Sequence, residues 1–307
     1  MKKILVATEK PFAPIAVDGI RRVIEEAGFE FALLEKYTSK EQFKEAVQTA
    51  HALIIRSDKV DREILEAASN LAIVVRAGAG YDNIDLQAAT DHQVVAMNTP
   101  GQNSNAVAEL ALGFMVMMAR NNYNGSAGTE LSGKKIGIHA YGNVGRLVGK
   151  IAKGFGMEVF AFDPFVDASV IEADGVTVLS SVEELYKTCQ YISLHIPAND
   201  KTKQSINYEL LMSMPQGATL VNTARKEVIH EEDLLRVMSE RKDFRYATDI
   251  APDCLQQLIQ EHPGKFFATP KKMGAQTEEA NINAGIAAAN QIVDFFTTGN
   301  TRFKVNN

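Results

Sequence analysis

Short apolar runs recur along this chain, separated by stretches of helical period, and no other feature narrows its fold as much. Ile4-Leu5-Val6-Ala7, Ala52-Leu53-Ile54-Ile55, Ile73-Val74-Val75 and Val94-Val95-Ala96-Met97 read as buried strands. Runs this short, apolar at every position, suit strands covered on both faces. Helical patterns over residues 15–27 and 40–50 lie between them. This alternation predicts an open parallel sheet with helices on both sides. A second series begins at Lys135, with Ile136-Gly137-Ile138, Val159-Phe160-Ala161-Phe162, Tyr191-Ile192-Ser193-Leu194, Ala218-Thr219-Leu220-Val221 and Tyr246-Ala247-Thr248 as its strands. The expected fold class is α/β, with two doubly wound, Rossmann-like parallel sheets in one chain.

Between the two series, "SNAVAELALGFMVMMAR" follows Asn103-Ser104, good N-cap chemistry, and is apolar nearly all round. Such a helix belongs between other elements, with Met115, Met117 and Met118 as core fillers. The last helical pattern, over residues 278–296, has Ile282, Ile286, Val293 and Phe296 at one-face spacing. The 307 residues suffice for two domains, and 46% apolar residues can fill both cores. A net charge of −6 argues against bulk attraction to nucleic acid or an anionic membrane. Two distant cysteines, Cys189 and Cys254, suit a reducing cytoplasm and give no metal-ligand spacing. The first apolar run is too short for a signal peptide. Residues 106–119 carry Glu109 and are too few to span a bilayer.

After the strand at Ile136 comes Ala140-Tyr141-Gly142-Asn143-Val144-Gly145. It is a Gly-x-Gly-x-x-Gly dinucleotide fingerprint whose first glycine is alanine. Gly142 lets a pyrophosphate approach the backbone, Gly145 lets helix and strand pack closely, and the helix N-terminus offers N–H groups to the anion. The next strand ends at Asp163, about twenty residues on, as the fingerprint requires. A carboxylate there can bond both ribose hydroxyls of NAD and repels the extra phosphate of NADP. A helix-capping turn beside a surface aspartate is the competing reading. His139 reads as a packed strand residue.

The stretch "SLHIPANDKTKQSINYELLMSMPQGATLVNTARKEVI", residues 193–229, resembles the signature region of the D-2-hydroxyacid dehydrogenase family. "LIIRSDKV", "VVRAGAGYDNIDLQAAT" and "MNTPGQNSNAVAEL" resemble its phosphoglycerate dehydrogenase branch, in a short form without a C-terminal regulatory domain. The resemblance implies a discontinuous substrate domain, 1–98 and 277–307, and an NAD-binding domain, 99–276, with the active site in the cleft. It also implies a cytoplasmic homodimer. The segment "RNNYNGSAGTEL" is short for the family, however, and that puts the usual dimer geometry in doubt.

By the same resemblance, Arg225 in "NTARKEV" is the catalytic arginine, able to clasp a carboxylate and polarise the reacting oxygen. Lys226 stands where the family has glycine. Ala79 and Gly80 match the loop whose N–H groups bind the substrate carboxylate. Arg56 and Arg76 end two strands, and as a pair they suit a phosphate dianion; structural ion pairs are the alternative. Asn98 and Asn103 are weaker candidates. Asp249 matches the aspartate beside the nicotinamide, and Thr223, Ala224, His195, Pro197 and Gly274 line the same crevice. His195 is expected to support or pack, not to act as the base.

The family pairs an acid–base histidine, after Thr-Pro, with a glutamate. Here the matching stretch is "TPKKMG", and the glutamate's position is Cys254, with Asp253 beside it. Some phosphoglycerate dehydrogenases carry lysine in the histidine's place, and this chain resembles them. A lysine base needs no carboxylate partner, which would raise its pKa further from the ~10.4 of the free side chain. Counting back from Gly274 selects Lys272; counting forward from Pro270 selects Lys271. Lys272 is preferred.

The resemblance implies NAD-dependent oxidation of 3-phospho-D-glycerate to 3-phosphohydroxypyruvate, the entry step of serine biosynthesis. Two alternatives stand beside it. One is a reductase of another 2-keto acid, such as glyoxylate or hydroxypyruvate. The other is a non-catalytic NAD sensor, kept open by the altered dyad.

Overall fold

A computed structural model describes all residues, 1–307. The chain divides into two compact units, Met1–Asn103 with Gln276–Asn307, and Ser104–Ala275.

Unit 1 begins with β1 (Lys3–Thr8), α1 (Pro14–Glu26), β2 (Glu30–Glu35), α2 (Lys40–Val47), β3 (Ala52–Ile55), α3 (Arg62–Ala67), β4 (Ile73–Arg76), α4 (Leu86–Asp91) and β5 (Val95–Asn98). All neighbouring strands are parallel, in the order β2-β1-β3-β4-β5. Alternate residues of each strand feed opposite cores: Leu5, Leu53 and Val74 on one face, Ile4, Ile54 and Val75 on the other. Each such fully buried side chain is worth roughly 1.5–3 kcal/mol. Asp61 and Asp85 cap α3 and α4 by accepting from the amides of Ile64 and Ala88.

Unit 2 contains α5 (Ser104–Ala119), β6 (Lys135–His139), α6 (Asn143–Gly154), β7 (Glu158–Phe162), α7 (Ala168–Ala173), β8 (Thr177–Val178), α8 (Val182–Thr188) and β9 (Tyr191–Leu194). It continues with α9 (Tyr208–Ser213), β10 (Thr219–Asn222), α10 (Glu231–Glu240), β11 (Arg245–Thr248), α11 (Leu255–Glu261) and β12 (Phe266–Ala268). Its strand order is β12-β11-β10-β9-β6-β7-β8, again all parallel.

The chain then returns to unit 1 as α12 (Glu278–Thr298), which packs on α1. The buried face of α12 is not the one its large residues suggest. Ala280, Ala284, Ala288, Ala289 and Ile292 are buried, whereas Ile282, Ile286, Val293 and Phe296 are half-buried. Small side chains take the closest helix contact, and the large ones flank it. Past α12 the tail covers the edge of β5. Lys304 bridges Met97, the Val305 N–H donates to the Ala96 carbonyl at 2.8 Å, and Asn306 Oδ1 accepts from the Ala96 N–H at 2.9 Å.

The sequence pattern finds nine of the twelve strands within a residue or two and misses β2, β8 and β12. Edge strands β2 and β12 are only partly buried, and β8 has two residues, so none shows the unbroken apolar run of a central strand. No helix is long and apolar enough to cross a membrane.

Candidate active site

In unit 2 the winding reverses between β6 and β9, and open α/β sheets bind ligands outside the carboxyl ends of strands at such a point. A crevice of about 460 Å³ lies there, lined by Gly142, Asp163, Phe165, Val182, His195 and Pro197 among others.

The turn from β6 into α6 shows how the altered fingerprint works. Ala140, where the family has glycine, adopts φ 82°, so the left-handed turn survives the substitution. No side chain caps the first turn of α6, and a Cβ added at Gly142 meets no atom within 4 Å. The helix start is therefore open to an anion. At Gly145 a Cβ would come within 2.2 Å of the Ala140 carbonyl oxygen, so only glycine permits this helix–strand approach.

Asp163 is held by the same turn. Its Oδ2 accepts from the Tyr141 N–H at 2.7 Å and its Oδ1 from the Phe165 N–H at 2.8 Å. Each oxygen retains a lone pair for a ribose hydroxyl. Tyr141 serves through its backbone, since its ring is buried and its hydroxyl donates to Asp174 at 3.2 Å. Asn143 is exposed and Val144 half-buried at the head of α6.

The His195 N–H donates to the His139 carbonyl at 3.0 Å, while Nε2 of His195 is buried without a partner. Burial, then the neighbouring His139, pushes the His195 pKa down to about 3. Burial lowers His139 to about 4 against the opposing pull of Asp163. Both rings are neutral near pH 7.

The ends of β10 and β11 carry the remaining unit 2 candidates. Asn222 braces the turn that presents Arg225: its Oδ1 accepts from the Ala224 N–H at 3.0 Å and its Nδ2 donates to the Arg225 carbonyl at 2.9 Å. The Arg225 side chain is exposed, and Thr223 is buried with an unpartnered Oγ1. Asp249 is fully buried. Its Oδ2 accepts from the Met273 and Gly274 N–H groups at 3.1 and 2.6 Å, and its Oδ1 has no partner. Burial raises its pKa, opposed by the Gly274 N–H and by the charge of Lys272. Lys272 is therefore within electrostatic reach of Asp249. Lys271 is tethered through its carbonyl, which accepts from the Thr269 hydroxyl at 2.7 Å. Both lysine side chains are exposed.

The departure at Lys226 has a structural explanation: its Nζ pairs with Asp253 at 2.5 Å. Glu231, at the start of α10, accepts from the Asp253 and Cys254 N–H groups at 2.9 and 2.8 Å. Burial first, then Glu231, pushes the Cys254 thiol up to about 12. The residue at the glutamate's position is thus a neutral thiol, and a carboxylate from the preceding helix, α10, braces the loop around it. Sequence reasoning missed Glu231, which looks like one more acid in a helix's first turn.

In unit 1, Arg56 and Arg76 stand at the carboxyl edge of the sheet and are partly buried. Arg56 Nη1 donates to the Lys10 and Pro11 carbonyls at 3.0 and 2.8 Å, and Nη2 to Asn281 Oδ1 at 2.7 Å. Arg76 Nε donates to the Arg56 carbonyl at 3.0 Å. Neither guanidinium bonds a carboxylate, so the ion-pair alternative is not what the structure contains. Burial lowers both pKa values, with Asp58 opposing at Arg56 and Asp82 at Arg76. Gly78 makes room for Arg76: a Cβ there would fall 1.5 Å from Nη1. Beside it, Ala79 is exposed, Gly80 is half-buried, and the Ala79 carbonyl accepts from Asn98 at 2.6 Å. Asn103 is half-buried.

The unit 2 residues fit a bound dinucleotide. They supply an uncapped helix start beneath an open Gly142, a fixed Asp163, and buried unpartnered acceptors or donors at His195, Thr223 and Asp249. No group of three or more His, Cys, Asp or Glu is placed to hold a metal ion.

Comparison with known proteins agrees with this geometry. Residues 111–263 match the profile of the D-isomer specific 2-hydroxyacid dehydrogenase, NAD binding domain. D-3-phosphoglycerate dehydrogenase of Methanocaldococcus jannaschii is 35% identical over 95% of this chain, which spans 57% of that relative's length. Hydroxypyruvate reductase of Thermotoga maritima is 32% identical over 86% of this chain and 90% of its own. Among solved structures, NAD+-bound 3-phosphoglycerate dehydrogenase of Entamoeba histolytica is similar with a TM-score of 0.87 and 49% identity, covering 100% of this chain and 99% of its own. This chain therefore belongs to the D-isomer specific 2-hydroxyacid dehydrogenase family, in its phosphoglycerate dehydrogenase branch, and carries that family's NAD-binding domain in unit 2.

Proposed function

We propose that this chain oxidises 3-phospho-D-glycerate to 3-phosphohydroxypyruvate with NAD as hydride acceptor, the entry step of serine biosynthesis. The observation that carries the choice of substrate is the pair of guanidiniums in unit 1, Arg56 and Arg76, neither bonded to a carboxylate. Two partly desolvated cations so placed suit a phosphate dianion better than a neutral hydroxyl. The names of the Methanocaldococcus and Entamoeba relatives support the same reading.

In this proposal Arg225 clasps the substrate carboxylate and the C2 oxygen. The N–H groups of Ala79 and Gly80 bind the substrate carboxylate. A bound NAD would supply the hydride acceptor for C2. Lys272 takes the hydroxyl proton at Nζ as the C2–O bond becomes a carbonyl. Asp249 offers its free Oδ1 to the nicotinamide amide, and its negative charge favours the cationic ring. Lys272 is chosen over Lys271 for its nearness to Asp249; the upward pull of that carboxylate on the lysine would have to be offset by Arg225 and the oxidised nicotinamide.

The test is steady-state turnover of Lys272→Ala and Lys271→Ala. Lys272→Ala should lose about 10²–10⁴-fold in kcat, the usual contribution of general acid–base catalysis, and Lys271→Ala less than about tenfold. The reverse order would transfer the role to Lys271, and small losses in both would end the lysine-base proposal.

The Thermotoga relative, aligned over 90% of its length, favours a second reading, reduction of hydroxypyruvate. A panel of phosphorylated and unphosphorylated 2-hydroxy and 2-keto acids separates the two. Arg76→Ala should raise KM only for the phosphorylated members if the first reading holds.

A further inference from the structure

A buried carboxylate of unit 1 lies beside Arg56. Asp58, 5% exposed, follows β3 by three residues. Its Oδ1 accepts from the Glu9 N–H at 2.7 Å and from the Tyr37 hydroxyl at 2.8 Å. Its Oδ2 accepts from the Arg56 N–H at 3.2 Å. A single side chain thus joins the loops that follow β1, β2 and β3. Its bonds go to two main-chain N–H groups and a hydroxyl instead of to a cation. Burying a carboxylate is costly, so a chain that needed only to link these loops could use neutral groups.

What Asp58 holds is the Arg56 residue, and both guanidiniums depend on it. The Arg56 side chain leaves from that backbone and is steered by Lys10, Pro11 and Asn281. The Arg56 carbonyl accepts from Arg76 Nε at 3.0 Å and from Asn83 Nδ2 at 3.3 Å, and Asn83 also donates to the Asp58 carbonyl at 2.7 Å. Asp58 therefore fixes the N–H of Arg56, and the carbonyl of Arg56 orients Arg76. Arginine side chains carry much rotamer freedom, and an anion that finds two of them already placed loses less of its binding free energy to ordering them.

We propose that Asp58, assisted by Tyr37, is a positioning residue for anion recognition. It sets the geometry of the Arg56–Arg76 pair and thereby the preference for phosphorylated over unphosphorylated 2-hydroxy acids. The proposal rests on the phosphate reading of these arginines given above. It also runs against simple charge counting, because a carboxylate close to the arginines repels a phosphate. If charge governed, Asp58→Asn would tighten binding. If geometry governs, Asp58→Asn weakens it, because the amide cannot accept from all three donors.

The experiment measures kcat and KM for 3-phospho-D-glycerate and for D-glycerate with NAD, in Asp58→Ala, Asp58→Asn, Tyr37→Phe and Arg76→Ala. Asp58→Ala should raise KM for the phosphorylated substrate about tenfold or more, with kcat and the KM for D-glycerate within about twofold. Asp58→Asn, which keeps the volume and part of the bonding, should fall between it and wild type, and Tyr37→Phe should cost about two- to fivefold. A KM that rises alike for both substrates, a loss confined to kcat, or a lower KM in Asp58→Asn overturns the proposal. If Asp58→Ala does not fold, the two volume-preserving variants decide it. If Arg76→Ala leaves the phosphate preference intact, the phosphate reading itself fails and the role of Asp58 with it. If Arg76→Ala abolishes the preference while the Asp58 and Tyr37 variants retain it, only the role of Asp58 fails.

Discussion

The two units build the same kind of sheet and use the same place in it differently. In unit 1 the winding reverses between β1 and β3, and in unit 2 between β6 and β9. Unit 1 fills its reversal point with protein: Arg56 reaches from the end of β3 to the Lys10 and Pro11 carbonyls after β1. Unit 2 leaves its reversal point open as a crevice and surrounds it with fixed polar groups. A filled point presents charge on its rim, and an open one admits a flat, extended ligand. The shared topology marks the same point in each unit, and the side chains at the reversal decide whether it is filled or open.

The sharpest way to break this comparison uses one glycine from each unit. A Cβ at Gly145 would sit 2.2 Å from a backbone oxygen, and a Cβ at Gly78 would sit 1.5 Å from the end of the Arg76 side chain. Backbone cannot step aside, but a guanidinium can. Gly145→Ala should destabilise unit 2 by about 3 kcal/mol or more and weaken NAD binding at least ~100-fold, as overpacking against main chain does at its upper end. Gly78→Ala should cost the fold far less, about 1–2 kcal/mol for its φ of 149°, while displacing Arg76 and weakening anion binding. Thermal unfolding with NAD titration checks both, and equal melting losses would show that the two notches are alike after all.

The second difference is acid response. Unit 2 contains buried His139 and His262, and His195 with its pKa pushed down to about 3, whereas the two histidines of unit 1, His51 and His92, are not buried. His139 titrates at about 4 in the fold, below its ordinary 6.5, because burial opposes its charge. The unfolded chain then binds the proton first as pH falls. The contribution of the neutral ring is complete above about pH 6.5 and is lost between there and about pH 4, up to roughly 3 kcal/mol. Asp249, raised by burial, acts with the opposite sign and opposes the loss. Hydrogen exchange should show unit 2 loosening before unit 1, and His139→Gln should reduce the dependence, with His195 carrying the remainder. An unchanged slope in that variant would move the acid sensitivity elsewhere.

The smallest effect concerns Ala140, which holds φ 82° where glycine would be unstrained. Ala140→Gly should stabilise unit 2 by about 1 kcal/mol or less, with NAD affinity unchanged or slightly improved. A destabilised variant would mean that the Ala140 methyl contributes more to packing than its backbone conformation costs.

Most of this architecture is legible in the sequence because the central strands are buried on both faces and carry unbroken apolar runs. The fingerprint at Gly142 and Gly145 is legible for a similar reason, since its chemistry is local. What escapes is assembled from distant segments. Asp58 looks like a surface acid in "RSDKV" until the loops after β1 and β2 converge on it. Glu231 and the Lys226–Asp253 pair become meaningful only when the start of α10 meets the loop after β11. The choice between Lys271 and Lys272 could not be made by counting along the chain. The proposal for Lys272 now draws on its electrostatic reach to Asp249, which no linear pattern reveals.

The discontinuity of unit 1 bears on how the molecule is made. Its five strands lie within the first hundred residues, yet the helix that covers one face and the tail that closes the β5 edge come after residue 276. A ribosome adding ~5–20 residues per second needs roughly 10–40 s to pass from β5 to the end of α12. During that interval β5 emerges with its hydrogen-bonding edge bare, and the face that α1 shares with α12 is only partly covered. Unit 2, contiguous from Ser104 to Ala275, can close on itself first. The segment that carries β1 to β5 is therefore the stretch that most needs a chaperone's cover, although in the finished fold its inner strands β1, β3 and β4 are among the most deeply buried.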